Sequence, residues 1–240
     1  MRIPPRLWSA VRIVVAALLL AAVIGQLAET LGNAQRLGHD VSVVLANYFS
    51  YFTIVSNLLA AIGLATAGAL ALRGRPTEPV ALGVLLAAAT TYLTITCIVY
   101  NALLRNLPIE PGVAATIPWS NEILHVWGPI FLVLDLLVSP GRRRLPRRAV
   151  IAIVLVPIVW TVYTLIRANL IADPVTGDPY WYPYPFLDPN GAGGWGSVLL
   201  YVVGIAVGFL LVGALVIWVT RLRGRGVASV PKETSAVGAA

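Results

Sequence analysis

Six runs of mostly apolar residues dominate the chain, at roughly 7 to 29, 48 to 72, 80 to 104, 119 to 138, 149 to 171 and 195 to 219. Each reaches the ~20 residues that a helix needs to cross the hydrocarbon of a bilayer, where the backbone must satisfy its own hydrogen bonds. The pattern predicts an all-α fold, a multi-pass membrane bundle of six transmembrane helices within residues 1–226. A small, polar tail at 227–240 is expected to be disordered and cytoplasmic. The first run has the outline of a signal peptide, with Arg2, Arg6 and Arg12 ahead of VVAALLLAAVIG. Its apolar stretch is long and no clear A-x-A site follows, so it reads as helix one. Gly204 and Gly208 in the sixth run have the spacing that lets membrane helices approach closely.

Polar residues interrupt these runs in a regular way. Positions three, four and seven apart share a helix face, so Ser50, Thr53, Ser56 and Asn57 form one stripe on the second helix. The third helix offers Thr90, Thr94, Cys97 and Asn101, and the fourth Asn121, Glu122 and His125. Tyr163, Thr164 and Arg167 lie on the fifth, Gln26 and Glu29 on the first. Thr53 falls about five residues, and His125 about six, from the outer end of its predicted helix, a depth of roughly 8 to 9 Å for both. The inner halves are largely apolar apart from Asp135, so the pattern predicts an outward-facing polar pocket. Pro129, four residues beyond His125, cannot donate to the His125 carbonyl, which predicts a free acceptor and a kink there.

Charge adds an orientation. Of 17 basic residues, fourteen cluster at the termini and in the 73–79 and 139–148 loops, while only Arg36, Arg105 and Arg167 fall toward the other side. By the positive-inside rule both termini are cytoplasmic. The same placement accounts for the net charge of +7 without nucleic acid. Membrane lipids are the expected surroundings, and the cluster GRRRLPRR is a topology signal that can also touch anionic head groups. The outward connections 30–47, 105–118 and 172–194 are the long ones, where function more often sits. In the last, ADPVTGDPYWYPYPFLDPNGAGG, prolines deny a regular helix, and its rings suit either an interfacial anchor or a lid over the pocket.

Composition narrows the chemistry. With 58% hydrophobic and 11% charged residues and a mean hydropathy of +0.84, no soluble domain fits in the 240 residues. One Cys and two His build neither a zinc site nor the multiple ligands of a membrane haem bundle, and no phosphate-binding or dinucleotide fingerprint occurs. No metal and no cofactor are therefore expected. Sixteen Arg against one Lys, among many Ala, point to a high-GC bacterial genome and a cell-membrane location. A hydroxyl nucleophile needs a base, an orienter for the base and donors for the oxyanion. Thr53 can serve as nucleophile and His125 as base, with Glu122 or a freed carbonyl as orienter. Asn57, Asn121 or Arg167 can donate to the oxyanion, with Ser56 and Asn101 as supporting or substrate-binding residues. Glu122 can alternatively pair with Arg167. A non-catalytic protein that binds or transports a small molecule or lipid would use the same polar faces.

The stretches FTIVSNLL at 52–59, ILHVWGPIFLVLDLL at 123–137 and YPYPFLD at 182–188 resemble the androgen-induced gene family, to which the androgen-dependent TFPI-regulating proteins belong. With the six-helix layout the resemblance spreads over nearly the whole chain, and it is to the bacterial, integral membrane branch. Animal members of that family are threonine hydrolases of fatty acid esters of hydroxy fatty acids. The resemblance implies Thr53 as nucleophile and His125 as its partner, acting on a lipid ester. The bacterial branch commonly has Gln where this chain has Val55.

Overall fold

The computed structural model describes residues 4–75, 77–107 and 116–223, and the tail expected at 227–240 lies outside them. Among the described residues six helices are long and apolar enough to cross a membrane, and the chain is an all-helical integral membrane protein. They are α1 (Pro5–Leu37), α3 (Phe52–Leu72), α4 (Val80–Val99, continued by a π turn at Tyr100–Leu104), the pair α5 (Pro118–Glu122) and α6 (Gly128–Val138) joined by a π turn at Ile123–Trp127, α7 (Ala149–Ala168) and α8 (Gly194–Arg223). A short α2 (Val41–Ser50) lies between α1 and α3. Helix α4 is the most enclosed of the six, and α7 and α8 the least. It packs against α3, α6, α7 and α8, while α1 covers α3.

The helices leave large apolar residues such as Ile151, Ile166, Leu199 and Leu211 mostly exposed on the outside of the bundle, as suits a surface in hydrocarbon. The core between the helices forms around Leu19, Leu64, Leu86, Leu93 and Leu132, all nearly inaccessible. Small residues set the closest approach. A Cβ added at Gly68 would stand 2.8 Å from the Ser9 carbonyl oxygen and 2.8 Å from Ile13, so only glycine lets α3 seat against α1. Of the pair expected to mediate packing, Gly208 meets Ile95 at 3.3 Å, whereas Gly204 faces open space. Thr90, Thr91 and Thr94 bond the carbonyls one turn back, the usual way to hide a hydroxyl in a membrane helix.

Two boundaries differ from the sequence expectation, and both bear on the site. The 30–47 connection is mostly helical: α1 runs to Leu37, Gly38 closes it in the left-handed region (φ 73°), and Asp40 caps α2 by accepting from the Ser42 and Val43 amides. Those bonds, that from the Ser42 hydroxyl above all, hold the Asp40 carboxyl below its ordinary range. The helix expected over 48–72 is instead two helices, because Tyr51 is extended (φ −69°, ψ 127°). Trp160 stabilises the break by donating to the Ser50 carbonyl at 3.0 Å, and the Ser50 hydroxyl meets that of Tyr163 at 3.0 Å. Thr53 is accordingly the second residue of α3, not a residue five positions inside a longer helix.

The end of the bundle where α1 starts and α6 finishes is tied by a buried ionic cluster. Arg12 of α1 reaches Asp135 of α6 at 2.7 Å and Glu78 at 2.9 Å, and Arg142 reaches Asp135 at 2.8 Å. Ser139 and Trp8 complete the shell of bonds around the guanidinium of Arg12 and the carboxylate of Asp135. Asp135 is the isolated inner-half polar residue of the sequence reading, and its partners come from two other segments, α1 (Trp8 and Arg12) and the 139–148 loop (Arg142).

Candidate functional site

A cavity of about 340 Å³ opens between α3, α4, α7 and α8, with the π turn after α5 at its edge. Along α7 its lining runs from Val154 to Leu165, ~16 Å at the rise of a helix. The wall is overwhelmingly apolar, and its few polar groups include Thr53, His125, Tyr100 and Tyr184. Thr53 and His125, 72 positions apart in the chain by subtraction of their numbers, thus face one cavity.

Thr53 stands at the start of α3, where the first N–H groups of a helix have no partner within it. Its amide donates to the Tyr184 hydroxyl at 3.4 Å, and its own hydroxyl lies 3.3 Å from the same oxygen, with either group able to donate. Tyr184 reaches this position because Tyr51, Trp160 and Phe186 pack around its ring, the last in a parallel stack with centroids 5.2 Å apart. Burial, more than any other influence, pushes the Tyr184 phenol above its ordinary pKa, so it stays protonated at neutral pH.

His125 lies in the π turn, half-buried and stacked on Tyr100 with centroids 4.1 Å apart. Its Nδ1 is 2.9 Å from the Asn121 carbonyl, and a carbonyl can only accept. Nδ1 therefore carries the proton and Nε2 is left as the acceptor, the tautomer that a general base requires. The Asn121 amide bonds the Tyr100 hydroxyl, so one residue holds both the imidazole and the ring it stacks on.

The π turn also relocates the free carbonyl expected beside His125. The Gly128 amide bonds back to Ile123, five residues earlier, so the next donor in that register would be Pro129, which has none. The carbonyl left over is that of Leu124, and Asn57 fills it at 3.2 Å while bonding the Thr53 carbonyl at 2.9 Å. Asn57 is fully buried, and one amide nitrogen clamps the turn bearing His125 to the turn bearing Thr53. Gly128 lets the π turn seat against α1, since a Cβ there would lie 2.8 Å from Leu19 and 2.9 Å from the Ile123 carbonyl oxygen.

Other expected members stand elsewhere. Glu122 pairs with Arg105 at 2.9 Å at a partly exposed position, neither orienting the imidazole nor meeting Arg167. Arg167 donates to Asn47 at 2.7 Å and lies over the Trp181 ring. Asn101 is exposed and bonds the Cys97 carbonyl, and Ser56 bonds the Phe52 carbonyl at 2.6 Å. The oxyanion donors expected from the sequence bond protein groups: Asn57 two carbonyls, Asn121 the Tyr100 hydroxyl, Arg167 Asn47. Tyr184 and Tyr100 are the residues that sequence reasoning missed. The aromatic, proline-rich loop was the available signal for Tyr184, because it marked those rings for a lid or an anchor without saying which ring reaches inward. Among the described residues no cluster of His, Cys, Asp and Glu could hold a metal. The chain was compared with models of protein families, with curated proteins and with solved structures, and none of the three returned a match.

Proposed function

We propose that this protein is a hydrolase of lipid esters in a bacterial cell membrane, with both termini in the cytoplasm and its cavity toward the outer leaflet. The observation that carries the reading is that a threonine hydroxyl and an imidazole with Nε2 as acceptor line the same apolar cavity. An apolar slot suits an acyl chain, whose transfer from water is favourable by roughly 0.8 kcal/mol per buried methylene. The resemblance to the androgen-induced gene family assigns the same two residues.

In this reaction the Thr53 hydroxyl oxygen attacks the ester carbonyl carbon as His125 Nε2 takes its proton. The Tyr184 O–H and the Thr53 N–H donate to the oxyanion. The ester C–O bond breaks, the leaving alcohol takes the proton from His125, and water then hydrolyses the acyl-threonine in the same two stages. Without substrate the two side chains bond Tyr184 and Asn121 rather than each other, and catalytic contacts commonly tighten only on binding.

The direct test is covalent. Purified protein treated with a fluorophosphonate probe should carry the adduct on Thr53, located by peptide mass spectrometry, and Thr53→Ala should remove it. Undiminished labelling of Thr53→Ala would sink the nucleophile assignment. The free-standing hydrogen bonds of Thr53 and His125 favour a second reading, a non-catalytic lipid-binding protein using the same cavity. Neither labelling nor ester turnover by the unmodified protein, together with saturable uptake of a fluorescent fatty acid, would establish that one instead.

Tyr184 gives a separate prediction. Removing one oxyanion donor typically costs about 10²-fold in turnover. Tyr184→Phe keeps the stack on Phe186 and loses only the hydroxyl, so kcat for a chromogenic acyl ester should fall by about that factor with KM little changed. Unchanged kcat would leave Tyr184 a packing residue of the loop.

A further inference from the structure

At the basic end of the bundle a second cavity, about 270 Å³ and lined by Arg147, Val150, Ala214, Ile217, Trp218 and Arg221, lies between the start of α7 and the last turns of α8. Residues 214, 217, 218 and 221 fall at offsets 0, 3, 4 and 7, so α8 presents them on one face. A Cβ at Gly213 would make only ordinary contact with Val150 at 3.5 Å and Ile153 at 3.6 Å, which places α8 close beside α7 at this level. Its lining combines four apolar side chains with two arginines.

The charge at this end is unbalanced in a specific place. Glu78 and Asp135 are its carboxylates among the described residues, and both are buried with Arg12 and Arg142. Arg147 and Arg221 make no ion pair among the described residues; Arg221 is steadied only by a bond to the Leu145 carbonyl at 3.3 Å. Two guanidiniums without counter-ions, flanking an apolar slot at a membrane boundary, match an anion that carries its own hydrocarbon. Trp218 is 56% exposed, with a ring suited to the level of the head groups.

We propose that this groove is a binding site for an anionic phospholipid, with the phosphodiester between Arg147 and Arg221 and the start of an acyl chain along Val150, Ala214 and Ile217. The site is independent of the Thr53 cavity and of its chemistry. It also differs from a diffuse attraction of basic loops to the membrane, because it requires two particular arginines.

Native mass spectrometry of the full chain in detergent, titrated with phosphatidylglycerol and with phosphatidylcholine, tests it. The protein should bind phosphatidylglycerol saturably at low stoichiometry and phosphatidylcholine far more weakly. The double variant Arg147→Gln/Arg221→Gln should lose about thirtyfold in phosphatidylglycerol affinity, whereas Arg73→Gln, at the same end outside the groove, should lose little. Trp218→Ala, which leaves both charges, should weaken binding by a smaller factor. Equal retention of both lipids, equal losses in the Arg73 and groove variants, or unchanged affinity in the double variant would each overturn the site. Displacement of bound lipid by glycerol 3-phosphate at comparable concentration would overturn the lipid assignment in favour of a soluble phosphate ester.

Discussion

Thr53→Ala and His125→Ala should each lower kcat/KM for a chromogenic acyl ester by on the order of 10⁴-fold, and the double variant should be hardly worse than either single one. A nucleophile and its base act as a unit: once the oxygen is gone the imidazole has no proton to take, and without the base the neutral hydroxyl is a weak nucleophile. Additive losses would show that the two residues act separately, as they would if one merely shaped the cavity. Binding of a non-hydrolysable acyl amide separates chemistry from architecture. It should survive in Thr53→Ala, because the cavity wall is built mainly by α4, α7 and α8 rather than by this hydroxyl. Asn57→Leu is the complementary change, since it frees the clamp between Thr53 and Leu124 without touching either reacting group.

Asp135→Asn should cost about 3 to 5 kcal/mol of stability, read as thermal unfolding in detergent by intrinsic fluorescence. The carboxylate is wholly inaccessible and accepts from Arg12, Arg142 and Trp8, so the neutral amide leaves two buried guanidiniums with Glu78 as their one carboxylate. The penalty comes from uncompensated buried charge more than from lost attraction. Arg12→Leu/Asp135→Leu, which removes one charge of each sign and leaves Arg142 with Glu78, should therefore be less damaging than Asp135→Asn alone. An unfolding midpoint for Asp135→Asn equal to that of the unmodified protein would mean that the cluster is hydrated rather than dry. Because the cluster joins α1, the 73–79 loop and α6 at the end opposite Thr53, folded Asp135→Asn protein should keep its ester turnover.

The sequence by itself determined the six spans and the all-helical class. Hydropathy sums per-residue transfer free energies along a window, a strictly local property, and the runs it marked at 48–72 and 195–219 overlap Phe52–Leu72 and Gly194–Arg223 without any partner being known. Helical periodicity likewise placed Thr53 and Asn57 on one face of α3, and depth counted along each run set His125 level with Thr53. Tertiary structure alone decided how those faces meet. Tyr51 breaks the helix because Trp160, 109 positions away by subtraction, caps the Ser50 carbonyl. The leftover carbonyl belongs to Leu124 rather than His125 because a π turn, invisible to a 3.6-residue period, shifts the register ahead of Pro129. Glu122 found Arg105, Arg167 found Asn47, and Asp135 found Arg12 across 123 positions of chain. Polar groups in hydrocarbon must pair with something, so a sequence shows that each has a partner. Which partner depends on the packing of segments far apart in the chain, and the pairing of Thr53 with Tyr184, 131 positions away, is of that kind.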